Sequence, residues 1–216
     1  MPFVTKESTT SHYALTKAMG EKLVRDANGK RGLKTVCLRP GGVYGAQDHL
    51  LMEMMMKQDM YVFLWFPIFI DWVYVDNIAY AHFLAEVALS RKNNQPNNVA
   101  GDAFYVSNEE PMGDSTFRQM VIHYAKIHNV FHWSPRAFYL LAYISLMLRR
   151  LLKSKKQSMG NLEYLTPCAM VIMNINMRID PSKAQRMLPY RPVFNVNEGI
   201  QLAVREYQEK ESIFGM

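Results

Sequence analysis

SHYALTKAMGEK, residues 11–22, sets a run of helix formers behind serine and threonine, and Asn28-Gly29 supplies a stop. The stretch predicts a helix, with N-cap side chains available from Ser8 to Ser11. Beyond the basic turn KRG, residues 34–38 read as a buried strand ending at Arg39-Pro40, and GGVYG, residues 41–45, breaks the pattern. The same alternation continues along the chain. HLLMEMMMKQ, residues 49–58, predicts a methionine-rich helix. MYVFLWFPIFIDWVYV, residues 60–75, is aromatic and β-branched with a break at Pro67, and its last part predicts a strand. Asp76 is placed to cap the helix NIAYAHFLAEVAL. AFYVSN, residues 103–108, predicts a strand, and Asp114 or Ser115 starts a helix running to about His128. An apolar, then basic, helix is expected over 136–152, a strand in AMVIMNINM at 169–177, a short helix in PSKAQRML behind Asp180, and a closing helix over 197–210. Strands alternating with helices predict an α/β fold with a largely parallel sheet.

Bulk properties narrow the function classes. A chain of 216 residues and 25.1 kDa buries one sizeable core, as one domain or a domain with an appended lobe. With 49% hydrophobic and 20% charged residues it is not a wholly disordered chain. The net charge of +6 suits an anionic partner such as a phosphate cofactor or an acidic membrane face. No zinc-finger or RNA-recognition signature and no arginine-rich arm is present, so no nucleic-acid partner is expected. Cys37 and Cys168 stand far apart, which excludes a Cys-x-x-Cys site and makes a reduced, cytosol-facing setting the expectation. MPFVTKESTT lacks the apolar stretch of a signal peptide. His128 and His132 have metal-ligand spacing on a helix, yet no further ligand stands nearby, so no metal is expected. His82 reads as an ordinary satisfied side chain.

Tyr13 and Lys17, one helical turn apart, form a usable chemical pair. An ammonium beside a phenol favours the phenolate and suits it to general acid/base work. In a chain with 12 tyrosines the spacing alone carries little. Five stretches in order carry more: HYALTKAMGEKLV, LKTVCLRPGGVYG, DWVYVDNIAYAHFLA, AGDAFYVSNEEPM and RMLPYRPVFNVNEGI. Together they resemble the 3β-hydroxysteroid dehydrogenase/isomerase family of extended short-chain dehydrogenases.

The resemblance implies the C-terminal part of a Rossmann-like NAD(P)-binding fold with a substrate-side lobe. Residues 1–45 and 69–91 would belong to the Rossmann sheet and helices, and 46–68 and 108–216 mainly to substrate-side and membrane-facing elements. It makes Tyr13 the acid/base for a sterol or steroid 3β-hydroxyl oxidised to a ketone by NAD or NADP. Lys17 would hold the nicotinamide ribose, and Pro40, Gly41, Gly42 and Val43 would face the carboxamide, where glycines let a backbone approach a flat ring. Asp76 and Asn77 are expected to be structural. Met52, Met54, Met55, Met56 and Met60, with Tyr61, Phe63, Trp65 and Phe66, would line one wall of the substrate cleft, with ordinary core as the bland alternative. Residues 136–152 suit an interfacial helix, in keeping with an endoplasmic-reticulum membrane association, and a homodimer is a candidate assembly. The family's Gly-x-x-Gly-x-x-Gly turn is missing from the sequence, as is its upstream substrate-polarising Ser or Thr, so the first βαβ units are expected to be absent and the chain alone inactive. FLWFPIF at 63–69 and Leu188-Pro189-Tyr190 depart from the family pattern. A sterol-4α-carboxylate 3-dehydrogenase, a nucleotide-sugar epimerase or dehydratase, and a non-catalytic lipid-binding remnant are the alternatives.

Overall fold

The computed structural model describes residues 12–49, 51–57, 61–64, 68–91, 98–133, 140, 143, 144, 147 and 176–214, excluding the side chains of 61–64, 131–133 and 214. Its elements, in chain order, begin with α1 (His12–Asp26), β1 (Cys37–Pro40), β2 (Gly42–Tyr44), α2 (Met52–Met56) and β3 (Tyr61–Leu64). There follow β4 (Phe69–Ile70), β5 (Trp72–Tyr74), α3 (Val75–Ser90), β6 (Ala103–Val106), β7 (Met112–Gly113) and α4 (Asp114–Ala125). The last are β8 (Val130–Trp133), α5 (Ser182–Met187) and α6 (Val196–Phe214). The chain divides into two compact units. The first comprises Met1–Tyr44, Asp71–Pro111 and Arg178–Gly199; the second comprises Gly45–Ile70, Met112–Met177 and Ile200–Met216.

The first unit is built on parallel pairing. β1 runs beside β6 from Cys37↔Ala103 to Pro40↔Val106, and β2 runs beside β5 from Gly42↔Trp72 to Tyr44↔Tyr74. Ala81, Ala85 and Ala88 recur at helical spacing along α3, and these small side chains join Val73, Val99, Phe104 and Val106 in the core. Ala184, Leu188 and Tyr190 close the same cluster. Phe104 is fully buried, and removing one such ring from water stabilises the unit by about 2 kcal/mol. Ahead of α6, Asn195 and Glu198 form a reciprocal cap: Glu198 N donates to Asn195 Oδ1 and Asn195 N to Glu198 Oε2, both at 2.9 Å.

The second unit contains the parallel pair β3 with β8 and the antiparallel pair β4 with β7. Met52 and Met55 of α2 are fully buried, as are Phe117 and Val121 of α4. On α6, Ile200, Ala203, Val204 and Tyr207 fall on one face and are buried.

Several local expectations are corrected. GGVYG does not simply break the strand: Gly42–Tyr44 is itself β2, because a new partner, β5, takes over the pairing. The first strand covers Cys37–Pro40 rather than 34–38. Asp76 is not the cap of α3; Tyr74 holds that position without a side-chain bond, and Asp76 lies in the first turn, where its charge suits the helix dipole. The methionine-rich helix is only Met52–Met56. α4 stops at Ala125 because Lys126 turns left-handed at φ 55°, so His128 falls past the helix and His132 on β8, off the helical spacing. The caps at Ser8–Ser11, most of the 136–152 helix, residues 169–175, Met60, Trp65 and Phe66 lie outside the described residues.

Candidate active site

α1 buries none of its residues, and Tyr13 is 72% exposed. Lys17 Nζ stands 5.6 Å from the centre of the Tyr13 ring, so ammonium and phenol share one stripe of the helix. This is the expected pair, placed together and open to solvent. Two other phenols of the first unit, those of Tyr44 and Tyr190, are tied up. Tyr44 and Tyr190 are fully buried, their hydroxyls donate to the carbonyls of Val196 and Ser107 at 3.1 Å each, and burial pushes both phenols well above the ordinary range.

The second expected element, residues 40–43, is where the chain passes from one strand partner to the next. Gly41 N donates to Val106 O at 3.0 Å and Gly42 N to Asp71 O at 2.8 Å. A side chain at Gly41 would collide with the carbonyl of Asp71, so the missing Cβ admits the backbone that leads into β5. Asp71 is itself buried, and its Oδ2 accepts from Ile179 N at 2.6 Å. Val43 remains 42% exposed.

Glu21, two turns beyond Tyr13, was not singled out by the sequence. It accepts a forked pair of hydrogen bonds from Arg39 of β1, Nε to Oε2 at 2.7 Å and Nη2 to Oε1 at 2.6 Å. That bonding holds the Glu21 carboxyl below the usual range and raises Arg39. Arg39 Nη1 also donates to Tyr105 Oη at 3.2 Å. The one available signal was a charged residue inside an otherwise apolar strand.

Asn77 is structural, as expected, but by another route than capping. Its Oδ1 accepts from Val193 N and Phe194 N at 2.9 and 3.1 Å, and its Nδ2 donates to Phe194 O and Asn108 Oδ1 at 2.8 Å each. Met52 and Met55 are core rather than cleft wall, whereas Met54 is 37% exposed. Among the described residues no group of His, Cys, Asp or Glu is arranged to hold a metal ion.

Residues 3–133 match the sequence model of the 3-beta hydroxysteroid dehydrogenase/isomerase family. The chain is 28% identical over 204 residues to the 3beta-hydroxysteroid-dehydrogenase/decarboxylase isoform 2 of Arabidopsis thaliana, covering 90% of this chain and 35% of that protein. It is 24% identical to the mouse sterol-4-alpha-carboxylate 3-dehydrogenase, decarboxylating, covering 96% of this chain and 57% of the relative. The chain thus spans about a third to somewhat over half of these relatives' length. A solved dTDP-glucose 4,6-dehydratase from Bacillus anthracis, in complex with NAD, superposes with a TM-score of 0.61 at 12% identity, covering 98% of this chain and 58% of that one. That likeness establishes the extended Rossmann-type α/β fold. With a match over more than half its length, the chain belongs to the 3β-hydroxysteroid dehydrogenase/isomerase family.

Proposed function

We propose that this chain carries the proton-transfer elements of an NAD(P)-dependent oxidation of a sterol 3β-hydroxyl to a ketone, on a sterol bearing a 4α-carboxylate. The observation that carries the reading is Lys17 Nζ poised 5.6 Å from the Tyr13 ring on an open helix, within the family match. The 4α-carboxylate is favoured by the relatives from Arabidopsis and mouse, whose names include decarboxylation. The nicotinamide supplies the hydride acceptor. Tyr13 takes the proton from the 3-hydroxyl, and the Lys17 ammonium offsets the negative charge of the phenolate. A ketone formed beside the 4α-carboxylate lets that carboxylate leave as carbon dioxide. The residues present fit the nicotinamide-ribose end of a cofactor through the ammonium, the phenol and the backbone of 40–43. No Gly-x-x-Gly-x-x-Gly turn for the pyrophosphate occurs in the sequence.

The 216-residue chain by itself is accordingly expected to show no thermal stabilisation by NAD. A melting scan at saturating NAD checks this, and an upward shift of several degrees would overturn it.

Membrane contact through residues 136–152 is part of the same proposal. Leu140, Tyr143, Ile144 and Met147 follow helical spacing and are 42–63% exposed, and RRLLKSKK follows them in sequence. Among the described residues no helix is long and apolar enough to cross a membrane. The apolar-then-basic order of 136–152 supports an interfacial role for this segment. Cosedimentation with anionic vesicles is expected for the chain and is expected to fall several-fold in Leu140→Asp/Ile144→Asp. Equal sedimentation of both proteins would contradict the contact.

A further inference from the structure

We propose that Glu21 is a positioning residue: through its fork with Arg39 it holds the Tyr13–Lys17 helix in place against β1. The assignment rests on the acid/base reading of Tyr13, but its physical content does not depend on turnover.

α1 presents 15 residues and fully buries none of them; of its apolar side chains Ala14, Leu15 and Ala18 are partly buried. Polar contacts reach the rest of the unit from its third and fourth turns. Glu21 accepts both arms of the Arg39 guanidinium, and Arg25 Nε donates to Gly101 O at 3.0 Å while its Nη1 stands 3.5 Å from Glu21 Oε1. Arg39 is fixed in turn by β6, where its guanidinium lies 5.1 Å from the Tyr105 ring centre. An exposed ion pair contributes little to stability. This one differs, because the side chains of Arg39 and Glu21 are only 26% and 14% exposed and the bonding is forked, which fixes orientation as well as distance.

Geometry connects the clamp to the site at both ends. Tyr13, Lys17 and Glu21 fall at i, i+4 and i+8 of one helix, so a rotation or slide of α1 at Glu21 displaces the phenol and the ammonium together. Arg39 immediately precedes residues 40–43, so the same guanidinium ties the acid/base helix to the backbone assigned to the nicotinamide. Lysine at 39 keeps the charge and loses the fork.

The test compares the wild-type chain with Glu21→Gln, Arg39→Lys and Tyr105→Phe by amide hydrogen exchange, together with the ring-carbon resonances of Tyr13 and, as a control on α3, Tyr80. Glu21→Gln is expected to accelerate exchange across 12–26 by roughly tenfold or more, to shift the Tyr13 ring signals, and to leave α3 and Tyr80 unchanged. Arg39→Lys is expected to fall between Glu21→Gln and wild type, and Tyr105→Phe close to wild type. Unchanged α1 exchange and Tyr13 signals in Glu21→Gln would overturn the proposal. So would an equal acceleration in α1, α3 and β6, which would make the pair a general stabiliser. Neither cofactor nor sterol enters these measurements, so failure of the clamp and failure of the dehydrogenase reading are separately visible.

Discussion

In a chain that also carries a pyrophosphate-binding turn, replacing Tyr13 with phenylalanine is expected to lower sterol oxidation by about 10²–10⁴-fold, with cofactor affinity largely kept. The change removes one hydroxyl from a side chain that is 72% exposed, so the melting temperature is expected to stay within the range of ordinary surface substitutions. The loss belongs to the chemical step, because a phenyl ring can neither take nor return the proton of the 3-hydroxyl. Paired measurements of NADH formation and NAD binding check the split. Oxidation at the wild-type rate would remove Tyr13 from the mechanism. The buried phenols of Tyr44 and Tyr190 offer no substitute, since each is out of solvent and bonded to a carbonyl.

Asn77→Ala is expected to destabilise the protein by about 3 kcal/mol, measured by urea unfolding. The alanine strips Val193 N and Phe194 N of the Oδ1 that accepts from both and leaves a void at a position with no solvent exposure. Asn108 softens the loss, because its Nδ2 still donates to Phe194 O at 2.9 Å. The neighbouring Asp76→Ala serves as the control. Asp76 is exposed in the first turn of α3 without capping it, so its loss is expected to cost about 0.5 kcal/mol or less. Equal costs at the two positions would contradict the account of the Asn77 network.

What the sequence disclosed follows the range of the interactions. α1, β5 and α3 were legible because period, cap-rich flanks and turn residues are local. So was the Tyr13–Lys17 pair, since i,i+4 spacing on a helix places both side chains without further knowledge of the fold. β2 was hidden. Two glycines in a row read as a breaker, yet Gly41 N bonds toward β6 and Gly42 N toward Asp71, and only the presence of both neighbours makes a strand of GGVYG. Asn77 was read as part of a strand end and cap, whereas its partners at 193 and 194 stand 116 and 117 positions away. The Glu21–Arg39 fork likewise joins a helix to a strand 18 positions on, beyond any periodicity. The methionines of α2 divided by side-chain direction: Met52 and Met55 went to the core and Met54 to the surface, which composition alone does not resolve.

The measurement closest to the central claim follows the hydrogen at C3. A chain that also carries a pyrophosphate-binding turn is given NAD and a 4α-carboxysterol carrying deuterium at C3, and a C4-deuterated nucleotide sugar in a parallel sample. The account predicts one deuterium in the reduced nicotinamide and release of carbon dioxide from the sterol sample, both lost in Tyr13→Phe. Transfer of label from the nucleotide sugar and none from the sterol would contradict it.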